Sequence, residues 1–243
     1  MNRRSTAPSR RSLLCTLMAT PLAVAASPAV LRSEDKTEGD RLIAPKVCLL
    51  TPRLIEGPYY LDLKTVRADI SEGRRGVPVE LALQVVVVAA GCSPIANARV
   101  DLWQCDAEGN YSGFARQGSD TALDTQGQTF LRGTQFTGPD GVCTFRTIYP
   151  GWYTGRTTHF HYKVFLDERT VLTSQIFLPD ELNRHVYATA APYNARVAKQ
   201  RTFNHNDFIA AEAGDAAYAS IHQRADGYAA ALVVGTQPPR PRG

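Results

Sequence analysis

The stretch YPGWYTGRTTHFHYKVF (residues 149–165) ends in seven residues whose side chains alternate in character. Successive side chains of a β-strand point to opposite faces. A strand over these residues places His159 and His161 on one face, about 7 Å apart along the backbone. Phe160 and Tyr162 then point the other way, into apolar packing. The stretch therefore predicts a strand with one apolar face and one imidazole-bearing face, entered from a Pro-Gly turn.

The rest of the chain is a series of short apolar segments separated by Gly, Pro and Asp, which favours strands. Further strands are predicted in VELALQVVVVAA (79–90), ANARVDLWQC (96–105), TFLRGTQF (129–136), VCTFRTIY (142–149), VLTSQIFL (171–178), ASIHQR (219–224) and YAAALVVG (228–235). The turn signals TGPDG (137–141) and ADG (225–227) each predict a hairpin. Only 181–192 and 207–219 favour helices, both weakly. We expect one all-β domain over 46–237, a β-sandwich of two mainly antiparallel sheets with long loops and little helix.

The positive charge of the chain is concentrated at its start. Residues 1–25 contain four arginines and no acidic residue, and the remainder carries 23 basic and 23 acidic residues. Nucleic acid is therefore not expected as a partner. The paired arginines, the following apolar run and the small residues near 23–25 are typical of a twin-arginine export signal. We expect a periplasmic or extracellular protein, with 26–45 as a flexible arm and 238–243 as a disordered tail.

Two alternatives for this leader are a plain secretory signal and a membrane anchor. Its apolar run is short and interrupted by Thr16, Thr20 and Pro21, so a permanent membrane span is not expected.

Four cysteines follow the leader: Cys48, Cys92, Cys105 and Cys143. Four cysteines allow three pairings, between which the sequence does not choose, and buried thiols are a further alternative. Because no C-x-x-C spacing occurs, a structural zinc site is disfavoured.

The H-x-H pair suggests a metal site, although two histidines alone are more often surface or structural residues. Tyr153 lies in the turn before the pair, and Tyr111 lies in the loop DAEGNYSGF (106–114). A free phenol titrates near pH 10, so phenolate ligands indicate a highly charged ion such as Fe(III). The alternative is that both tyrosines are amphipathic loop residues.

Over more than half its length the chain resembles the intradiol ring-cleavage dioxygenases, the family of the catechol and protocatechuate dioxygenases. The matching segments, in the order of the family, are TPRLIEGPYYLD (51–62), RADISEGRRGVPVELALQV (67–85), PIANARVDLWQCDAEGNYSGF (94–114), FLRGTQFTGPDGVCTFRTIYPGWYTGRTTHFHYKV (130–164) and LTSQIFLPD (172–180). The succession G-x-Y, P-G-x-Y and R-x-x-H-x-H is highly specific. The short spacer between the second tyrosine and the histidines resembles the exported single-chain branch.

The resemblance implies a non-haem Fe(III) ion held by Tyr111, Tyr153, His159 and His161. It implies cleavage of a small aromatic diol by O2, between the two hydroxyl-bearing carbons, to a muconate-type dicarboxylic acid. The phenolate of Tyr153 is implied to leave the metal and to accept a substrate proton. Which diol is cleaved is left open, and so is the choice between a monomer and a homodimer.

Two further residues match the active site of the family. Arg156 is implied to stabilise negative charge on the substrate, and Gln175 to orient a ligand or an iron-bound hydroxide. Without the family, Arg156 would be interpreted as a solvated turn residue and Gln175 as a surface residue. The segment EGPYY is expected to form a wall of the substrate pocket through Gly57, Pro58, Tyr59 and Tyr60, unless the two tyrosines only anchor the first strand.

The sequence departs from the family before Cys48, after about Asp207, and at the threonines of GWYTGRTTH. His185, His205 and His222 lie outside every matching segment and are expected to be structural or exposed. Two other functions stay open: an exported, non-catalytic binding module, and a zinc or copper enzyme built on the H-x-H pair.

Overall fold

The computed structural model describes residues 48–167 and 171–237. The predicted export signal (1–25), arm (26–45) and tail (238–243) lie outside the described residues. They stay predictions, as does the assignment of 46–237 to one catalytic domain.

The described chain is built mainly from strands. In chain order they are β1 (Pro78–Val87), β2 (Ser93–Pro94), β3 (Arg99–Trp103), β4 (Ala115–Gln117), β5 (Asp120–Asp124), β6 (Arg132–Phe136), β7 (Val142–Ile148), β8 (His159–Phe165), β9 (Val171–Phe177), β10 (Ser220–Arg224) and β11 (Gly227–Thr236). Two α-helices are present among the described residues, α1 (Asp180–Thr189) and α2 (Phe208–Ala213), together with short 3₁₀ turns.

The strands form two main sheets. The first has the order β10-β11-β1-β2, and β7 also pairs with β1, along Pro78–Gln84. Its β1–β11 pair is parallel, whereas its other pairs are antiparallel. The second sheet has the order β6-β3-β8-β9 and is antiparallel throughout. A separate ribbon consists of β4 and β5.

One hydrophobic core joins the two sheets. It includes Leu81 and Leu83 from β1, Leu102 from β3, and Phe160 and Tyr162 from β8, all at most 1% exposed. Burying a large apolar side chain contributes about 1.5–3 kcal/mol, so this layer fixes the relative placement of the sheets. The predicted β-sandwich is therefore confirmed. So is the alternation along β8, with Phe160 and Tyr162 in the core.

One predicted hairpin is wrong and the other is confirmed. The segments flanking TGPDG lie in different sheets, since β6 pairs with β3 and β7 pairs with β1. The turn is tight, with Gly141 at φ +76° and its N–H donating to Gly138 O at 2.9 Å, but it carries the chain across the sandwich. The ADG turn joins β10 to β11 as expected, with Arg224 opposite Gly227.

Both predicted helices form, the second only in part. α1 fills most of 181–192, while α2 ends at Gly214 instead of continuing to 219. A glycine at φ +65° ends the second helix.

The cysteine pairing is resolved by the fold. Cys48 and Cys92 form a disulfide, and Cys105 and Cys143 are buried free thiols. No helix within the described residues is long and apolar enough to cross a membrane.

Candidate metal centre

The two histidines lie side by side on β8, in the middle of the second sheet. Both are at most 2% exposed, and their Nε2 atoms are 2.9 Å apart. His161 is paired with Trp103 on β3 and with Gln175 on β9. The indole of Trp103 is parallel to the His161 ring, with centroids 5.0 Å apart, so the imidazole has little freedom to rotate.

Both imidazoles are neutral and present nitrogen lone pairs. The carbonyl oxygen of Thr157 lies 2.7 Å from His159 Nδ1 and accepts its hydrogen, leaving the Nε2 lone pair free. Burial, reinforced by the charge of Arg156, lowers the pKa of His159 to about 3. Burial, and then the neighbouring His159 and Arg156, also lower the pKa of His161 well below its usual value. Neutral imidazoles are the form that ligates a metal.

Two tyrosine hydroxyls from different loops approach the same nitrogen. Tyr111 follows β3, and its hydroxyl oxygen lies 3.5 Å from His159 Nε2. Tyr153, before β8, places its hydroxyl oxygen 3.3 Å from the same atom. Tyr111 is fully buried, whereas Tyr153 is partly exposed.

Neither phenol ionises easily in this environment. Burial, followed by the proximity of Tyr153, raises the pKa of Tyr111 well above 10. Burial is also the main cause that raises the pKa of Tyr153 to about 12. Both hydroxyls therefore stay protonated at neutral pH unless a strong positive charge lies beside them.

The three separations from His159 Nε2 match those between ligands of one metal ion. A ligand bond of about 2.0–2.1 Å, with angles of about 90–120° between ligands, gives donor separations of about 2.8–3.6 Å. The observed separations from His159 Nε2 run from 2.9 to 3.5 Å. Within 48–167 and 171–237, no three His, Cys, Asp or Glu side chains form a metal-binding group; here two phenols complete the pair of imidazoles. A set of two phenols and two imidazoles suits a hard, trivalent ion.

Arg156 lies beside the donors and is held by two side chains. Its Nη1 is 3.4 Å from His159 Nε2, its Nη2 donates to Gln175 Oε1 at 2.5 Å, and its Nε donates to Asp207 Oδ2 at 2.9 Å. Gln175 in turn donates to Ile55 O at 2.9 Å. Arg156 is therefore a buried, paired cation facing the candidate centre, and not a solvated turn residue.

Asp207 is the main site residue that sequence reasoning missed. It is 1% exposed and also accepts hydrogen bonds from the backbone N–H groups of Thr157, Ile209 and Ala210, at 2.7, 2.9 and 3.1 Å. The last two make it the N-cap of α2. An aspartate before an apolar segment predicts such a cap. Nothing local in the sequence indicates a partner 51 residues away.

Two residues of EGPYY, Gly57 and Tyr59, lie directly against the candidate donors. The ring of Tyr59 stacks on Tyr111, with centroids 4.5 Å apart. Gly57 has φ +74°, which favours glycine, and a Cβ there would lie 3.3 Å from His161 Cε1 and crowd the imidazole.

Tyr60 and Pro58, the other two residues expected in the wall, have different surroundings. The Tyr60 hydroxyl donates to Asp101 Oδ2 at 2.8 Å, and its ring lies 4.9 Å from that of Trp103. Pro58 is exposed.

The remaining residues singled out in the sequence lie outside the centre. His185, His205 and His222 are exposed, as expected.

Comparison with known proteins places this geometry in a family. The model of a family described as "Dioxygenase" matches residues 55–217, more than half of the chain. Catechol 1,2-dioxygenase 1 of Acinetobacter lwoffii is 30% identical over 148 residues, 51% of this chain and 45% of that protein. Chlorocatechol 1,2-dioxygenase of Cupriavidus pinatubonensis is 29% identical over 149 residues, 51% of this chain and 52% of that protein. The chain thus spans about half the length of these curated relatives.

A solved structure matches over a greater length. An intradiol ring-cleavage dioxygenase from Tetranychus urticae superposes with a TM-score of 0.70 at 31% identity, covering 79% of this chain and 96% of that one. The family model, these relatives and the fold agree with one another. The chain belongs to the intradiol ring-cleavage dioxygenase family.

Proposed function

We propose that this protein is a non-haem Fe(III) dioxygenase. It uses O2 to cleave the ring of a catechol-type diol between the two hydroxyl-bearing carbons, giving a muconate-type dicarboxylic acid. The observation that carries the proposal is the convergence of the Tyr111 hydroxyl, the Tyr153 hydroxyl and His161 Nε2 on His159 Nε2, at 3.5, 3.3 and 2.9 Å.

The iron would be held by Tyr111, Tyr153, His159 and His161. When bound, ferric iron supplies the Lewis acidity that favours a doubly deprotonated diol and makes its ring reactive toward O2. Two phenolates and two neutral imidazoles leave one net positive charge on the centre. That charge favours a dianionic, chelating ligand such as a catecholate over a neutral one.

The two phenols have different surroundings and are assigned different tasks. Tyr111 is fully buried under the ring of Tyr59 and stays in place. Tyr153 is partly exposed and lies on the turn that enters β8. Burial raises the pKa of Tyr153 to about 12 in the absence of metal, so its phenolate oxygen, once displaced from the iron, would be basic enough to accept a proton from a substrate hydroxyl.

Arg156 supplies a fixed positive charge beside the reacting ring. Its pairing with Asp207 and Gln175 fixes the guanidinium plane before substrate arrives, so no reorganisation is needed when negative charge develops. The face of Tyr59 and the bare backbone of Gly57 form the adjacent wall, against which a flat aromatic ring can lie.

We also propose that the protein works outside the cytoplasm. The twin-arginine-like start of the sequence supports this, and so does the Cys48–Cys92 disulfide, because disulfides persist in oxidising compartments.

Iron content and oxygen uptake test the enzymatic proposal together. Tyr153→Phe and His161→Ala should bind iron more weakly and show lower visible absorbance and slower O2 uptake with a panel of catechol, protocatechuate and hydroxyquinol. The matched controls Tyr228→Phe, in the other sheet, and His222→Ala, exposed on β10, should keep all three. Product mass identifies the bond that is broken.

Two results would contradict the proposal. One is full iron and oxygen uptake in Tyr153→Phe and His161→Ala. The other is a colourless wild-type protein that carries zinc, which as a d¹⁰ ion has no such absorbance.

A further inference from the structure

The two phenols of the candidate centre are carried by loops that are distant in sequence. Tyr111 lies in the loop between β3 and β4, and Tyr153 lies between β7 and β8. A 3₁₀ segment, Tyr193–Lys199, lies against both loops. Its hydrogen bonds to Glu108, Ser119 and Trp152 come from one side chain, Arg196.

Arg196 binds the Tyr111 loop and its continuation at two points. Nη1 donates to the carbonyl oxygen of Glu108, three residues before Tyr111. Nη2 donates to Ser119 Oγ at 2.5 Å. Asp106 and Glu108 add negative charge near this guanidinium.

The same guanidinium binds the Tyr153 loop. Nη2 donates to Trp152 O at 3.1 Å, and the guanidinium carbon lies 4.3 Å from the centroid of the Trp152 ring. Trp152 directly precedes Tyr153. Arginine suits this position because its planar group can stack on an indole while donating several hydrogen bonds within its plane.

The loops meet so closely at Arg196 that only glycine fits between them. A Cβ on Gly109 would lie 2.1 Å from Trp152 O, 2.4 Å from Ser119 Oγ and 3.0 Å from Arg196 Nη1. Ser119 Oγ also donates to Trp152 O at 3.1 Å. Ser119 and Trp152 therefore contact each other, and both contact the guanidinium of Arg196.

The backbone that carries Arg196 is itself anchored. Tyr193, 1% exposed, donates from its hydroxyl to Tyr149 O at 2.6 Å and accepts from Val77 N at 3.1 Å. Tyr149 leads directly into the Pro-Gly-Trp-Tyr turn. Arg196 thus projects from a fixed support onto both loops.

We propose that Arg196 is a positioning residue of the metal centre, which holds the two phenol-bearing loops in register. It touches none of the four donor atoms, so its effect passes through Glu108, Ser119 and Trp152. Its consequence for iron rests on the proposed function, whereas its effect on the loops does not.

The experiment compares Arg196→Met with Arg201→Met. Arg201 is exposed and, among the residues that the structure describes, donates to the nearby carbonyls of Ala198 and Gln200, so its variant is a matched control. Hydrogen exchange of the iron-free protein is measured over 106–119 and 150–155. Loss of the guanidinium contacts should speed exchange in both loops by about tenfold or more, with the sheets unchanged.

Iron binding gives the second readout. Arg196→Met should bind Fe(III) about 10–100-fold more weakly, which is the usual loss when a residue that supports metal ligands is removed. Its visible charge-transfer band should also shift. Arg201→Met should match wild type in every measurement. Arg196→Lys keeps the positive charge but loses the planar guanidinium. We expect its exchange rates and its iron affinity to lie between those of wild type and Arg196→Met.

Each outcome decides the proposal. Wild-type exchange in both loops of folded Arg196→Met would overturn it, and so would faster exchange with unchanged iron affinity and spectrum. If Arg196→Met does not fold, Arg196→Lys decides, and wild-type behaviour there overturns the proposal. If the wild type binds no iron, the proposed function fails, while the exchange rates still judge Arg196.

Discussion

Replacing Asp207 should separate its two tasks, pairing with Arg156 and capping α2. Its side chain is fully buried and that of Arg156 is 10% exposed. Asp207→Ala leaves this guanidinium without its carboxylate partner, which costs roughly 3–5 kcal/mol in buried pairs. It also removes the cap of α2, worth about 1 kcal/mol. We expect Asp207→Ala to lose about 4–6 kcal/mol of unfolding free energy.

Asp207→Asn is the discriminating variant. Asparagine caps helices as well as aspartate does, so this variant loses the charge but keeps the cap. It should therefore be more stable than Asp207→Ala by about 1 kcal/mol, yet far less stable than wild type. Because Arg156 is no longer pinned beside the centre, turnover should also fall by about 10–100-fold.

Urea unfolding at pH 7, on proteins of equal iron content, measures these differences. The double variant Arg156→Met with Asp207→Asn completes the cycle and should show a coupling free energy of at least about 1 kcal/mol. A loss below about 1 kcal/mol in Asp207→Ala would refute the buried pair. If Asp207→Ala and Asp207→Asn lose the same unfolding free energy, the capping of α2 makes no separate contribution and the division into pairing and capping is refuted.

Three further changes have definite expected outcomes. Gly57→Ala should displace the His161 ring and shift the visible spectrum of the iron-loaded protein. The control Gly73→Ala, at φ +71° in open space, should cost only backbone strain of about 1–2 kcal/mol. A Gly57→Ala spectrum identical to that of wild type would contradict the close approach. Replacing Cys48 and Cys92 by serine removes a disulfide between residues 44 positions apart and should lower the free energy of unfolding by about 4 kcal/mol. Thermal melting against the oxidised wild type measures this, and an unchanged melting temperature would contradict it. The pKa values of the two buried imidazoles are lowered in the folded state, so below about pH 6.5 the unfolded chain binds protons that the folded chain does not. The stability of the iron-free protein should therefore be complete above that pH and fall progressively as pH drops; urea midpoints that stay constant between pH 7 and 5 would contradict the neutral pair.

The sequence predicts the features of this fold that depend on local pattern. The alternation His-Phe-His-Tyr specifies a strand and its two faces, because a slip of one residue would turn the imidazoles into the apolar core and the apolar side chains toward the candidate centre. Residue identity at Gly57 likewise indicates a close backbone approach.

The features that depend on distant partners could not be predicted. The TGPDG turn specifies a reversal of the chain, but the pairing of β7 with β1 is decided by a strand far away in sequence. The Arg156–Asp207 pair and the Cys48–Cys92 disulfide span 51 and 44 residues, and only the folded sandwich selects them. The meeting of the two phenols is of the same kind, and before the structure it rested on family resemblance alone.

The most direct test of the account is resonance Raman spectroscopy of the iron-loaded protein, with iron counted per chain. We predict one iron per chain and a visible band whose excitation enhances tyrosinate ring vibrations, weakened in Tyr111→Phe and in Tyr153→Phe. A folded protein that binds no iron, or binds it without tyrosinate vibrations, would contradict a centre built from two phenolates and two imidazoles.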